Sequence, residues 1–300
     1  MIVVFGSINL DLIYRLEAMP APGQTLLAHD MTTEPGGKGA NQAVAAARDG
    51  AAVVFAGAVG EDALAETAIA GMRDAGVDLS RVATVAGPTG SAAICIDAAG
   101  RNQIVVAPAA NAAARAAQVE DALLVPDNTL VLQMEVPVAE NEALIRRARA
   151  AGARTILNLA PAMPIADDAL RLLDVLVVNE EEGNWLLAHL GATTEGGAAA
   201  LHGLLGIAVV RTLGGDGVEW ADAAGHGSVG APTIEVVDTT AAGDCFVGIV
   251  AAALDRGATL EAAIRRASAA APIACMRNGS QRSLPDAAEI NAALFSSSPE

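Results

Sequence analysis

The chain has 300 residues, of which 53% are apolar and 18% charged, enough to bury a large core and too apolar for a disordered segment. Its 18 Lys and Arg stand against 35 Asp and Glu, a formal net charge of -17, which excludes nucleic acid and anionic membrane surfaces as general partners. Aromatic residues make up 2%, too few for the stacking platforms of single-strand binding.

Residues 2–5 read as a buried strand, and the chain start lacks the basic and long apolar regions of a secretory signal. Residues 12–34 carry no helical period, contain Pro20 and Pro22, and include a strand-like run at 25–27. A helix is expected over 37–48 and closed by Gly50, then a strand at 52–55 and a helix over 62–75 closed by Gly76. Residues 91–107 read as a hairpin with strands at 93–96 and 103–107. Strands are expected at 130–133, 155–158, 175–178, 207–211 and 234–237, with helices at 139–151, 179–190 and 242–254 among them. The tail from Ser296 is expected to fray. Cys95, Cys245 and Cys275 are scattered, with no C-x-x-C pair, which reads as reduced thiols in a cytoplasmic protein. No apolar run reaches the length of a membrane-spanning helix.

Continuous apolar strands alternating with helices imply a mostly parallel sheet covered on both faces, with ligands outside the carboxyl ends of the strands. The stretches 12–34 and 91–107 break that alternation. They read as a small antiparallel sheet, a lid inserted in a single domain spanning 1–300, or else as surface excursions. On such a lid Ile94 and Ile96 share one face, taken here as the outward one.

Several motifs bear on chemistry. Gly225-His-Gly-Ser-Val-Gly230 matches a dinucleotide fingerprint in spelling only and reads as a turn between strands, because a strand rather than a helix is expected after it. Pro35-Gly-Gly-Lys-Gly-Ala-Asn41 opens a helix with three glycines around one lysine, which permits close backbone approach to a ligand. Asp238-Thr-Thr-Ala-Ala-Gly-Asp244 opens another helix. Its small residues Ala241, Ala242 and Gly243 leave amides uncovered as an anion hole, with Asp244 beside them as a base or as a complement to the helix dipole. Asn179 and Glu182 have the spacing of a capping box, and beside a nucleotide the carboxylate would also suit water-mediated Mg²⁺. Asn9, Asp11 and Glu135 follow strands, where polar side chains would hold a polyol. His29, His189, His202 and His226 lack metal-ligand spacing.

Taken together, Gly6-Ser-Ile-Asn-Leu-Asp11, Gly36-Gly-Lys-Gly-Ala-Asn41, Ala110-Asn111-Ala-Ala, Leu132-Gln-Met-Glu135, Asn158-Leu-Ala-Pro-Ala162, Asn179-Glu180, Thr212-Leu-Gly-Gly-Asp-Gly217 and Asp238-Thr-Thr-Ala-Ala-Gly-Asp244 resemble the PfkB family of carbohydrate kinases over nearly the whole chain. The resemblance implies a three-layer α/β sandwich with a β-sheet lid, often paired with a second copy as a homodimer, and transfer of the ATP γ-phosphoryl group to a sugar. D-ribose is the expected acceptor. Other family acceptors (2-deoxyribose, 2-keto-3-deoxygluconate, fructose phosphate, adenosine) and a non-catalytic sugar- or nucleotide-binding protein are the alternatives. By the same resemblance Asp244 is the catalytic base and the Ala241, Ala242 and Gly243 amides are the anion hole. Asn9, Asp11, Gly37, Lys38, Asn41 and Glu135 fall on sugar positions. Asn179 and Glu182 fall on the Mg²⁺ and phosphate position, and Thr212, Gly214 and Gly217 on the nucleotide loop. Asp238, Thr240, Ala274, Arg277, Gly279 and Ser283 match a K⁺ site. The chain departs from the family at Ser268 near the adenine, at Pro272, expected to interrupt the late helix, and at Arg282 beside the K⁺ loop.

Overall fold

The computed structural model describes residues 1–192 and 196–296. Its strands in chain order are β1 (Ile2–Phe5), β2 (Asn9–Arg15), β3 (Asp30–Gly36), β4 (Val53–Gly60), β5 (Asp78–Val85), β6 (Gly90–Ile96), β7 (Asn102–Ala107), β8 (Thr129–Leu132), β9 (Arg154–Asn158), β10 (Val175–Asn179), β11 (Ala208–Thr212), β12 (Val218–Asp222) and β13 (Gly225–Val229). Its helices are α1 (Lys38–Arg48), α2 (Leu64–Asp74), α3 (Val138–Ala151), α4 (Asp167–Leu170), α5 (Glu180–His189), α6 (Ala198–Leu205), α7 (Ala242–Asp255), α8 (Leu260–Cys275) and α9 (Ala287–Ser296).

Among the described residues one nine-stranded sheet runs β13-β12-β11-β10-β9-β8-β1-β4-β5. It is parallel from β11 to β5, and only β12 and β13 pair antiparallel. Strand side chains alternate between faces, and the core divides accordingly. Ile2, Val4, Phe55, Val131 and Val177 pack with α1, α7 and α8 on one face. Val3, Phe5, Leu130, Leu132 and Leu176 pack with α3, α5 and α6 on the other. The result is the expected three-layer α/β sandwich, with helix entries and strand ends collected along one edge.

A four-stranded sheet, β3-β2-β6-β7, stands off the main one. β2 pairs parallel with β6, and the two outer pairs are antiparallel. The lid therefore begins at Asn9, before the expected boundary, because the chain crosses over at residues 6–8 straight from β1. The expected strand at 25–27 is absent, and Leu27 is exposed. The ladder forms instead at β3, where residues 30–36 match β2 in register. Ile94 and Ile96 do not point outward. They share a face with Asp11 and line the cleft, and Ile94 is buried against Ile13 and Ala92.

Three further expectations are corrected. Residues 234–237 form no strand: the amides of Val237 and Asp238 donate to the Cys275 carbonyl at the end of α8 (2.9 and 3.1 Å), so this segment closes a cavity rather than a sheet edge. Residues 225–229 are not a turn but the edge strand β13, and no helix follows them directly. Pro272 does not interrupt α8, which continues to Cys275. It lies in the last turn, where its ring removes one amide, the donor to the Ser268 carbonyl, without ending the helix. The expected fraying beyond Ser296 lies outside the described residues. Among the described residues no helix is long and apolar enough to cross a membrane.

Candidate active site

The first turn of α1 is built so that backbone reaches backbone. Gly37 has φ 91°, and a Cβ there would lie 2.8 Å from the Asn9 amide nitrogen. A Cβ on Gly36 would lie 2.3 Å from the Asp11 carboxylate. Only glycine allows this approach, and it brings Lys38 and Asn41 over the lid strand β2. One cavity of about 910 Å³ is lined by Asn9, Asp11, Gly37, Lys38, Asn41, Glu135 and Asp244, all grouped by the sequence, with the lid's Ile94, Ile96, Ile104 and Val106 as an apolar wall. Its polar groups are held from behind. Asn111 Nδ2 donates to Asn9 Oδ1 (2.8 Å), which leaves the Asn9 amide hydrogens to the cavity. Ser7 Oγ and the Lys38 amide donate to Glu135 Oε2 (2.6 and 3.2 Å), which leaves Oε1 as the outward acceptor.

Charge in this cavity is crowded. Burial, then Glu135, Asp244 and Glu34, push the Asp11 carboxyl up to about 7, against the pull of Lys38. Burial works to discharge Lys38, but Asp244, Glu135, Glu182 and Asp11 outweigh it and hold its ammonium charged above its ordinary range.

Asp244 stands in the first turn of α7, buried to 8% exposure. Asn41 Nδ2 donates to its Oδ2 (2.9 Å) and Gln42 Nε2 to its Oδ1 (3.0 Å). Burial raises its proton affinity above the usual carboxylate range, opposed by Lys38 and the two amides. Before it, Ala241 adopts the left-handed conformation (φ 60°), an unusual state for a residue with a Cβ. That kink aims the helix entry at the cleft. The anion hole differs in one amide from expectation: the Ala242 amide closes a turn onto the Thr239 carbonyl at 3.2 Å. The amides of Ala241, Gly243 and Asp244 have no hydrogen-bond partner among the described residues.

Beyond Asp244 the cleft continues. A second cavity is lined by Lys38, Asn179, Glu182, Thr212, Gly243 and Asp244. Asn179 and Glu182 form the capping box in full, with the Glu182 amide on Asn179 Oδ1 and the Asn179 amide on Glu182 Oε2, each 2.8 Å. The other Glu182 oxygen remains for a ligand. Burial raises the Glu182 carboxyl despite the Asn179 amide and Lys38. A third, apolar cavity shares Thr212 and Gly243 with the second and is lined by Gly214, Gly217, Phe246, Ser268, Ala271 and Pro272. Its apolar lining suits a nucleobase, and Ser268, which the sequence set near the adenine, is part of it. Gly217, at φ 102°, leaves no room for a side chain, since a Cβ would lie 2.1 Å from the Val229 carbonyl.

Of the residues matched to a cation site, Asp238, Thr240 and Gly279 are joined directly. Asp238 Oδ1 accepts from the Thr240 amide and hydroxyl (2.9 and 2.6 Å), and Oδ2 from the Gly279 amide (2.9 Å). Burial would raise Asp238, but these bonds outweigh it and lower its carboxyl. Ser283 is buried one turn on, and the Ala274 carbonyl caps the end of α8 by accepting from the Arg277 amide. The Arg277 side chain turns away to Glu289. The donors left are all oxygen, which suits a hard cation. For Mg²⁺, Glu182 and Asp244 are the carboxylates that line the second cavity, and no cluster of three or more metal-ligating side chains exists among the described residues. A divalent ion there would take most of its ligands from water and phosphate, as Mg²⁺ prefers.

Sequence reasoning missed Gln42, and quoted Ser7, Asn111, Gln133 and Asn158 without giving them work. None carries a motif of its own. Their signal is three-dimensional: each is a buried amide or hydroxyl with a side-chain partner 91 or more positions away.

A cleft that joins a polar cavity to an apolar one through a buried carboxylate and a helix entry defines a phosphotransferase-type α/β protein. Residues 1–287 match the model of the pfkB family carbohydrate kinases. The chain belongs to that family. It is 34% identical over 306 residues to a ribokinase of Schizosaccharomyces pombe (97% of this chain, 96% of that protein). It is also 34% identical to one of Haemophilus influenzae (95% of each). Among solved structures, a ribokinase of Thermotoga maritima superposes with a TM-score of 0.90 at 32% identity, covering 98% of this chain and 99% of that one. A ribokinase of Arabidopsis thaliana, complexed with ribose and ATP, superposes with a TM-score of 0.88 at 32% identity, covering 98% of each.

Proposed function

We propose that this protein transfers the γ-phosphoryl group of ATP to the primary hydroxyl of D-ribose and forms ribose 5-phosphate. One observation carries the reading: Asp244 is a buried carboxylate, held by Asn41 and Gln42, where the polar and apolar ends of the cleft meet. Its raised proton affinity suits a general base working near neutral pH. Asp244 takes the proton of the attacking hydroxyl. The sugar oxygen bonds to the γ-phosphorus as the bond to the β–γ bridging oxygen breaks, and ADP leaves with that electron pair. Lys38 and the free amides of Ala241 and Gly243 meet the negative charge on the group in flight, and Ala242 joins them if its turn opens.

In this reading Asn9, Asp11, Gly37, Lys38, Asn41 and Glu135 hold the sugar. Thr212, Gly214, Gly217, Gly243 and Asn179 hold the nucleotide. Glu182 would hold Mg²⁺ through water, and the ion would neutralise phosphate charge. Asp238, Thr240, Ala274, Arg277, Gly279 and Ser283 would hold K⁺ and keep the loop before the anion hole in order. The name and ligands of the full-length relatives support ribose and ATP as the substrates. The same reading makes residues 1–300 one catalytic domain, working in the cytoplasm as a homodimer through its lid.

The deciding experiment pairs a substrate panel with one variant. Ribose, 2-deoxyribose, fructose 6-phosphate, 2-keto-3-deoxygluconate and adenosine are assayed for ATP-dependent product, with ribose expected to give the highest kcat/KM. Asp244→Asn is expected to lose roughly 10²–10⁴-fold in kcat with both KM values near wild type. Retained turnover would remove Asp244 from the chemistry.

A further inference from the structure

Behind Asp244 lies a line of buried amides, of which Gln42 and Gln133 line no cavity of the cleft and Asn158 reaches the wall of the second one. Asn158 Nδ2 donates to the Val177 carbonyl (3.3 Å). Asn158 Oδ1 accepts from Gln42 Nε2 (3.0 Å), and the same Gln42 nitrogen donates to Asp244 Oδ1 (3.0 Å). Gln42 Oε1 accepts from Gln133 Nε2 (2.8 Å). Gln42 and Gln133 are completely buried, and Asn158 is 8% exposed. Room is made for the line by Gly6, where a Cβ would lie 2.0 Å from Gln133 Oε1. That oxygen has no partner, so Gln133 is kept in the core at an energetic cost.

We propose that Gln133 and Asn158 fix the orientation of the Gln42 side-chain amide, and that Gln42 thereby positions Asp244 as a hydrogen-bond-held carboxylate ready for proton transfer; Gln42, Gln133 and Asn158 are positioning residues. The inference rests on Asp244 being the base. Its logic is directional. An amide has one donor end and one acceptor end, and a buried amide free to turn would present either to Asp244. The Val177 carbonyl is only an acceptor, so it fixes the donor end of Asn158. Asn158 then offers its oxygen to Gln42, and Gln42 must turn its NH₂ inward. Gln133 secures the same choice from the other side by donating to the Gln42 oxygen. Both hydrogens of Gln42 are thus committed, one to Asn158 and one to Asp244.

The consequence is electrostatic as well as geometric. Lys38 on α1, Glu135 after β8, Asp11 on β2 and Glu182 on α5 all act on Asp244, and Cys245 stands next to it on α7. In this mostly acidic surrounding, the Gln42 and Asn41 amides favour the ionised carboxylate. Loss of the Gln42 donor raises the proton affinity of Asp244. The base is then ionised only at higher pH, so the acid limb of the kcat–pH profile moves up.

The test uses the full-length enzyme with ribose and ATP. Gln42→Met is expected to lower kcat roughly 10–100-fold, in the range seen when an outer-shell partner is lost, with both KM values near wild type and the acid limb raised. Gln42→Glu sets a carboxylate beside Asp244 and is expected to raise that limb further, by on the order of one unit or more. Gln133→Met touches neither Asp244 nor substrate, and is expected to shift the limb in the same direction by less. A merely structural role would lower the melting temperature and leave the profile of the folded fraction unmoved. Folded variants with wild-type kcat and acid limb overturn the proposal while Asp244→Asn is inactive; an active Asp244→Asn overturns the base assignment instead. Should no variant fold, neutron diffraction of the wild type decides it: the NH₂ of Gln42 facing Asp244 is expected, and its carbonyl there overturns the proposal.

Discussion

Asp11 bears the sharpest electrostatic conflict of any single residue here, a buried carboxyl facing Glu135, Asp244 and Glu34 with only Lys38 in its favour. Its folded pKa of about 7 lies above its ordinary value of 3.8. The native state therefore binds more protons than the unfolded chain between these values, and this group stabilises the fold as pH falls through 7 and strains it above. Asp11→Asn is expected to raise the melting temperature of the ligand-free protein at pH 8, by roughly 1–3 kcal/mol in stability, with the gain gone near pH 4. The same variant is expected to raise the KM for ribose and leave the KM for ATP unchanged, since it removes an acceptor from the sugar side alone. Wild-type ribose affinity is expected to fall below about pH 7, and isothermal titration at several pH values reads this directly. Asp11, Glu135 and Asp244 were legible because each follows a strand or opens a helix. Gln42 was not, although it follows Asn41 directly, because nothing local distinguishes an amide that works from one that fills space.

At the scale of elements, the lid is tied by its edge strand β3 to the loop after α8, where the proposed cation site lies. Glu34 of β3 accepts from the Ser280 amide (3.1 Å) and pairs with Arg282 (2.6 Å), and Ser280 Oγ donates to the Pro35 carbonyl. Arg282 also donates to the Asn278 carbonyl (2.9 Å). The residue noted as a departure in the sequence thus joins β3 to the loop that reaches Asp238 through Gly279. Arg282→Ala is expected to destabilise the protein by about 1–2 kcal/mol, moderated because Arg282 is largely exposed, and to raise the KM for ribose as the lid loosens. Thermal melts and sugar kinetics on one preparation check both. Replacing Na⁺ by K⁺ at constant ionic strength is expected to raise kcat, and Asp238→Ala to abolish the difference. Equal rates in Na⁺, K⁺ and Cs⁺ would mean that Arg282 or another group has taken over the site. The strand expected at 25–27 failed because its short apolar run faces no partner, whereas the polar run 30–36 has all of β2 to pair with.

For the whole molecule, the exposed apolar side chains of the lid matter most. Ile104 is 53% exposed, Val105 71% and Met31 51%, on a sheet of four strands. A sheet of that size is stable only with its faces covered, and α2 covers only the base of the lid through β2 and β3. A second copy of the chain is the expected cover. Sedimentation of the wild type at micromolar concentration is expected to show a dimer of the 30.0 kDa chain. The double variant Met31→Lys, Val105→Lys, on the lid face turned away from the cavity, is expected to sediment as a monomer with weakened ribose binding. A fully active wild-type monomer would remove the lid from assembly altogether.

What the sequence by itself determined is local and periodic. Apolar runs spaced by alanine-rich helices dictate a covered parallel sheet, and two helix entries made of small residues mark where backbone is open to a ligand. Even the ends of most elements, such as α1 at Arg48 and β9 at Asn158, follow from residues close by. Only the tertiary structure decided which face of the lid carries Ile94, that residues 234–237 leave the sheet to close the apolar cavity, and that Gln133 and Asn158 stand behind Asp244. These depend on pairings across tens to hundreds of residues. A strand takes its face from its neighbour's register, and a buried amide takes its orientation from the acceptor it meets, so neither is written in the residues on either side.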